Sequence, residues 1–134
     1  MCAGAEREDA DLDVVFRALA DPTRRMILDV VREGPRSTTE VVEAVGVRAG
    51  VSRFAVMKHL RVLAEADLVR RVEGAGGRVE HALNAVPIRR VYERWVGRFA
   101  GYWAGWLVGM GGGGGGRVRE AEPSAPPGQR GRGA

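Results

Sequence analysis

Apolar positions recur at helical spacing through the first two thirds of the chain. Residues 9–20 place Leu12, Val15, Phe16 and Leu19 on one face and predict a first helix. Asp21-Pro22 restarts the chain, an N-cap followed by the residue type favoured at the first helical position. The second helix spans residues 22–32, with Met26, Ile27, Val30 and Val31 inward, and Gly34-Pro35 stops it. Ser37 stands three residues before Glu40, the spacing of a capping box, and opens a short third helix with Val41, Val42 and Val45 apolar. Residues 46–50 read as a turn. A fourth helix begins at Ser52 and ends near Ala66, with Val56, Leu60 and Leu63 inward. Asp67 then falls where the chain needs a residue that tolerates the left-handed region.

The period next drops to two. Residues 69–73 and 79–84 read as strands paired around Gly74-Ala75-Gly76-Gly77. Pro87 opens a long last helix to about residue 107. Along it Ile88, Tyr92, Trp95, Phe99, Tyr102 and Trp106 recur at alternating steps of four and three, a heptad seam. Residues 1–8 are expected to be disordered, as is the Gly/Pro/Arg-rich tail 109–134, which contains six consecutive glycines at 111–116 and cannot bury a core. The predicted domain is therefore residues 9–108, mainly α with one small β-hairpin. Its order, α-α-α-α-β-β-α with helices three and four joined by a turn, is that of a winged helix-turn-helix.

Composition narrows the function classes. No apolar run reaches the roughly 18–20 residues of a membrane span. The acidic N-terminus has no apolar core of a signal peptide. Cys2 is the one cysteine, so no internal disulfide forms, which fits a reducing cytoplasm. The net charge of +4 is unevenly spread: residues 1–47 carry 6 basic and 10 acidic side chains, residues 48–94 carry 10 and 5. The positive charge gathers on the fourth helix and hairpin, as a polyanion footprint would. Arginine supplies all of the 21 basic residues except Lys58. That suits bidentate phosphate and guanine contacts, and a GC-rich genome accounts for it equally.

Catalytic chemistry finds little to work with. There is no Ser-His-Asp or Cys-His set, and the glycine run 111–116 follows no strand and precedes no Lys-Ser/Thr, so it is not a phosphate loop. His59 and His81 are the two histidines; with Cys2 distant, no zinc site has ligands, and no metal or other cofactor is expected. The chain is not expected to be an enzyme. Arg53, Phe54, Met57, Lys58 and Arg61 share the outward side of the fourth helix, a groove-contacting face or an ordinary solvated one. Ser52 caps that helix and can also reach a phosphate. Phe54 either wedges at bases or packs against the long turn before it. Arg71 and Arg78 on the hairpin, with Arg70, can touch phosphates, although alternation sends Arg70 and Arg71 to opposite faces. Arg24 and Arg25 open helix two against its dipole, which an external anion or a salt bridge to helix one would explain.

Four strings taken together, FRALADPTRRMILDVV, TTEVVEAVGV, SRFAVMKHLRVLAEADLV and GRVEHALN, resemble the ArsR-type winged-helix repressors over roughly residues 13–107. The resemblance implies double-stranded DNA as partner, the fourth helix in the major groove, the hairpin as a wing, and repression as the outcome. Metal-sensing members carry a Cys pair near helix three or Asp/His/Glu pairs on the last helix. Here helix three has no Cys and the last helix has Glu93 as its one acid, which resembles the metal-free branch. Two features depart from the family pattern: the turn GVRAGVS looks long, and Met57 stands where many members have Ser.

The aromatic seam Ile88, Tyr92, Trp95, Phe99, Tyr102 and Trp106, with Leu12 and Phe16 of helix one, is expected to form a two-fold homodimer interface. The alternatives are packing on the helix's own core, or a pocket for an apolar effector. A dimer sets two recognition helices about one DNA turn apart, ~34 Å, and so requires an inverted-repeat operator. The competing function is a winged-helix module that binds protein; the effector is not legible, and no membrane partner is expected.

Overall fold

The computed structural model describes residues 3–110. They run α1 (Ala3–Leu19), α2 (Pro22–Arg32), β1 (Arg36–Ser37), α3 (Thr38–Ala49), α4 (Arg53–Glu65), β2 (Val69–Glu73), β3 (Val79–Leu83), α5 (Val86–Arg94), a 3-10 turn Val96–Phe99 and α6 (Ala100–Met110). This is the mainly α winged helix-turn-helix expected. It falls into two compact units, one ending at Arg98 and one beginning at Phe99, where the sequence predicts a single domain to residue 108. The tail from residue 111 lies outside the described residues. Among the described residues no helix is long and apolar enough to cross a membrane.

In the first unit each helix contributes one stripe to a common core. Val15 and Ala18 come from α1, Ile27, Leu28 and Val31 from α2, Val41 and Val45 from α3, Val56, Leu60 and Leu63 from α4, and Val91 from α5. Leu63 is fully buried; truncating such a leucine to alanine costs about 3–5 kcal/mol. Leu12, Phe16 and Leu19 of α1 are only partly buried and lean on the edge of this core.

Local signals set the boundaries. Asp21 caps α2 by accepting from the Arg24 N–H at 3.1 Å. Ser37 caps α3 and Ser52 caps α4, their hydroxyls accepting from Glu40 and Ala55 N–H at 3.2 Å each. The strands form one antiparallel sheet ordered β1-β3-β2, with Arg71 opposite His81 and Val69 opposite Leu83. The two-residue β1, pairing Arg36 with His81, carries no periodicity and is not foreseen from the sequence. At the hairpin tip Gly76 and Gly77 take consecutive left-handed conformations, φ 71° and 75°, which only glycine adopts freely.

Three expectations are corrected. Helix α1 begins at Ala3, so the N-terminal segment expected to be disordered is largely helical, and Glu8 in it pairs with Arg94 of α5 at 2.6 Å. Residues 46–49 belong to α3, not to a turn. The helix ends at Gly50, φ 65°, and the N–H groups of both Gly50 and Val51 bond back to the Gly46 carbonyl. The turn into α4 is therefore three residues, Gly50-Val51-Ser52, the ordinary length for this motif. Finally, the last helix is not continuous: α5 stops at Arg94, with Trp95 at φ −134° and ψ −59° and a 3-10 turn beyond. A straight heptad seam from Ile88 to Trp106 does not exist.

Candidate nucleic-acid interface

Burial of Val56, Leu60 and Leu63 fixes which side of α4 faces out. Arg53, Phe54, Met57, Lys58 and Arg61 all lie exposed on the other side, as the sequence predicts. Phe54 is 70% exposed and Met57 50% exposed. Of the two alternatives for Phe54, packing against a long turn falls away, since that turn is short and the ring is largely exposed. Instead Lys58 Nζ sits over its ring, 5.2 Å from the centroid. A cation over an aromatic face is worth about 0.5–1 kcal/mol at such an exposed position. The N-terminal turns of α4 thus present two apolar side chains among three cations, with no acid between Ser52 and Arg61.

The wing is less cationic than its sequence reads. Arg70 is held by Asp67, its Nε and Nη2 donating to the two carboxylate oxygens at 2.9 Å each. That hydrogen bond, with the charge beside it and a further one from Asn84, holds the Asp67 carboxyl below the usual range. Asp67 is itself the one non-glycine left-handed residue among those described, φ 58°, and its carbonyl accepts from Asn84 Nδ2 at 2.8 Å. Arg70 therefore braces the α4–β2 corner, its charge already paired with Asp67. Arg71 and Arg78 remain exposed, with Glu73 and Glu80 beside them on the strands.

Two polar contacts brace this surface from behind. Thr38 Oγ1, at the start of α3, and His81 Nε2 on β3 hydrogen-bond at 2.9 Å. Burial, and then the charge of Arg71, push the His81 imidazole below its ordinary range, so it is held neutral. On the other side Arg24 donates from Nε to the Ala18 carbonyl at 2.7 Å, from Nη2 to the Arg17 carbonyl at 2.9 Å, and from Nη1 to His59 Nδ1 at 3.3 Å. Arg25 donates to the Leu19 carbonyl at 2.8 Å. Among the described residues neither arginine forms a salt bridge to helix one; their donors go to its carbonyls and, for Arg24, also to the His59 ring. The two arginines close the C-terminal carbonyls of α1, where cations also suit the helix dipole. The unfavourable charge at the start of α2 is visible in the sequence; the neighbouring helix end that uses it is not.

The residues expected at a dimer interface are only partly brought together. In the first unit Phe16 of α1 meets Trp95 edge-on, ring centroids 5.7 Å apart and planes at 85°. Ile88 and Tyr92 lie exposed on α5. Phe99, Tyr102 and Trp106 fall in the second unit. The seam is therefore divided between the two units. In the first, an open recess of about 700 Å³ between α1 and α5 is lined largely by charged side chains, among them Glu8, Asp11, Asp67, Arg90 and Arg94.

Comparison with known proteins places this geometry among DNA-associated folds. Residues 19–72 match the helix-turn-helix domain family. The chain is 33% identical over 55 residues to the transcriptional repressor SdpR of Bacillus subtilis (strain 168), a match covering 41% of this chain and 57% of SdpR. It is 32% identical over 87 residues to the HTH-type transcriptional regulator YuzN of the same organism, covering 63% of this chain and 94% of YuzN. The structure is also similar to an ArsR-like transcriptional regulator from Rhodococcus sp. RHA1, with TM-score 0.57 and 28% identity over 75% of this chain and 90% of that one.

Proposed function

The chain belongs to the ArsR-type helix-turn-helix transcriptional regulators, and on that premise we propose that it is a dimeric repressor whose α4 reads an inverted-repeat operator. The observation that carries the reading is the cationic outward face of α4. Arg53, Lys58 and Arg61 stand exposed there with no acidic residue from Ser52 to Arg61, Glu65 following one turn later, while the opposite face is closed into the core. In this reading Ser52, at the start of α4, lies against the DNA backbone, and Arg71 and Arg78 of the wing reach phosphates beside the groove. Repression would follow from occupying promoter DNA; the similar protein SdpR is named a transcriptional repressor.

The dimer is supported by exposed apolar side chains on the α1–α5 side of the first unit: Tyr92, Ile88 and the Phe16–Trp95 pair. In the second unit Tyr102 and Trp106 of α6 offer further apolar surface to a second copy. Two-fold pairing sets the operator symmetry.

Binding of the full chain to promoter duplexes, followed by fluorescence anisotropy across a salt series, tests this. Affinity should fall steeply with salt, and Arg53→Ala with Lys58→Ala should flatten the log–log slope by about 0.9 for each phosphate no longer neutralised. The same double variant should sediment as the wild-type dimer. An inverted repeat that binds no tighter than scrambled DNA, or binding indifferent to salt, overturns the proposal and favours a protein-binding module.

A further inference from the structure

We infer that α4 recognises thymine through its 5-methyl group, using Phe54 and Met57 as an apolar reading patch; the inference rests on the DNA-binding reading above. The argument starts from what the outward face lacks. Between Ser52 and Arg61 the exposed helical side chains are Arg53, Phe54, Met57, Lys58 and Arg61. Every polar group among them is a hydrogen-bond donor, because neither guanidinium nor ammonium accepts. Donors satisfy guanine O6 and N7, thymine O4 and phosphate oxygens. They cannot satisfy the adenine N6 or cytosine N4 amino groups, and no Asn, Gln, Ser or Thr stands on the face to do so.

The remaining major-groove signal is the methyl group of thymine, an apolar feature that needs an apolar partner. Phe54 and Met57 sit three residues apart on adjacent turns, so they lie side by side. Both keep half or more of their surface exposed, 70% and 50%. Lys58, four residues after Phe54, holds its ammonium over the ring, and Arg53 and Arg61 lie on either side along the helix. An apolar centre rimmed by cations complements a groove whose floor carries methyl groups and whose walls carry phosphates. The half-site the helix selects is then defined by guanines under the arginines and thymines under Phe54 and Met57.

The test removes the methyl and nothing else. Duplexes selected from a random pool by the full chain are resynthesised with deoxyuridine at single thymidine positions, which keeps pairing and O4. One or two positions per half-site should each lose about three- to five-fold in affinity, the worth of one buried carbon. Phe54→Ala with Met57→Ala should erase that sensitivity while keeping the salt slope. Tight, salt-dependent binding that ignores every deoxyuridine overturns the inference but leaves the DNA-binding reading intact. Sensitivity that survives in the double variant overturns the assignment to these two side chains. Failure of any salt-dependent sequence to emerge from the pool overturns both.

Discussion

Gly46 and Gly50 are four residues apart, and alanine at each should shift stability in opposite directions. Gly46 lies inside α3. A Cβ built there meets the Val51 carbonyl oxygen at 3.4 Å and Val42 Cγ1 at 3.8 Å, ordinary contacts that need no rearrangement. Alanine in a helix interior gains about 0.5–1 kcal/mol over glycine, and the nearby backbone oxygen sets the gain at the low end, about 0.5. Gly50 sits at φ 65° and ψ 32° with open space around its Cα. Alanine there meets no neighbour, so its penalty is purely conformational. The left-handed region costs an L-residue roughly 1–2 kcal/mol, of which about 0.4–1 is offset by the stiffer unfolded chain, leaving a loss of about 1. The variants should therefore differ by about 1.5 kcal/mol in urea unfolding followed by far-UV circular dichroism. Protein concentration is held fixed, because the apparent stability of any self-associating chain depends on it. A destabilised Gly46→Ala beside a neutral Gly50→Ala would refute the reasoning. The turn would then begin at Gly46, and the three-residue link that aims α4 would be wrong.

Further outcomes follow from the bracing contacts. Arg24→Met removes donors to two α1 carbonyls and to His59, and should cost about 1–2 kcal/mol in thermal unfolding. Amide exchange at the end of α1 should quicken, while the salt slope of DNA binding should not change, because Arg24 lies off the reading face. His81 is held below its ordinary 6.5 by burial and by Arg71. In the window just below 6.5 the unfolded chain takes a proton that the folded one refuses, so stability is complete above that value and declines as pH falls through it. The melting temperature should drop between about pH 7.5 and 5.5, and drop much less in His81→Gln. Asp21 and Asp67 titrate below their ordinary 3.8 in the folded chain and so leave this window undisturbed.

What the sequence reveals is what the backbone decides locally. Asp21, Ser37 and Ser52 are caps because short side-chain acceptors satisfy free N–H groups, a rule that needs no tertiary context. The inward set Val56, Leu60 and Leu63 is legible because one helix face must be apolar over its whole length. The turn at residues 46–50 is misread because glycine punctuates equally well inside a helix and after it; only the positive φ at Gly50 separates the two. The unbroken last helix fails for a related reason. Heptad spacing records which residues share a face, not whether the backbone between them can bend. Gly97 is the overlooked signal: a Cβ there would lie 3.0 Å from the Tyr92 carbonyl oxygen, so glycine lets the turn close without displacing that backbone. The partners of Arg24, Arg25 and Arg70, helix-end carbonyls and a corner carboxylate, are not legible in the sequence because packing and turn geometry bring them near.

The same division explains how the reading helix can be both rigid and open to change. Helix α4 is fixed at its start by the Ser52 cap and the short turn from α3, along its side by the Arg24–His59 contact, and at its end by the Asp67 corner with Arg70 and Asn84. None of these contacts uses Arg53, Phe54, Met57 or Arg61, and Lys58 enters only through its place over the Phe54 ring. In the proposed reading, stability and sequence preference therefore rest on different side chains of one helix. Substitutions on the outward face should change which bases are favoured while leaving unfolding almost untouched, whereas substitutions at Ser52, Arg24 or Asp67 should loosen the helix and weaken all sequences alike. On that separation, Met57→Ser should leave unfolding almost unchanged, because Met57 is half exposed and takes part in none of these bracing contacts, while shifting which bases the proposed reading face favours.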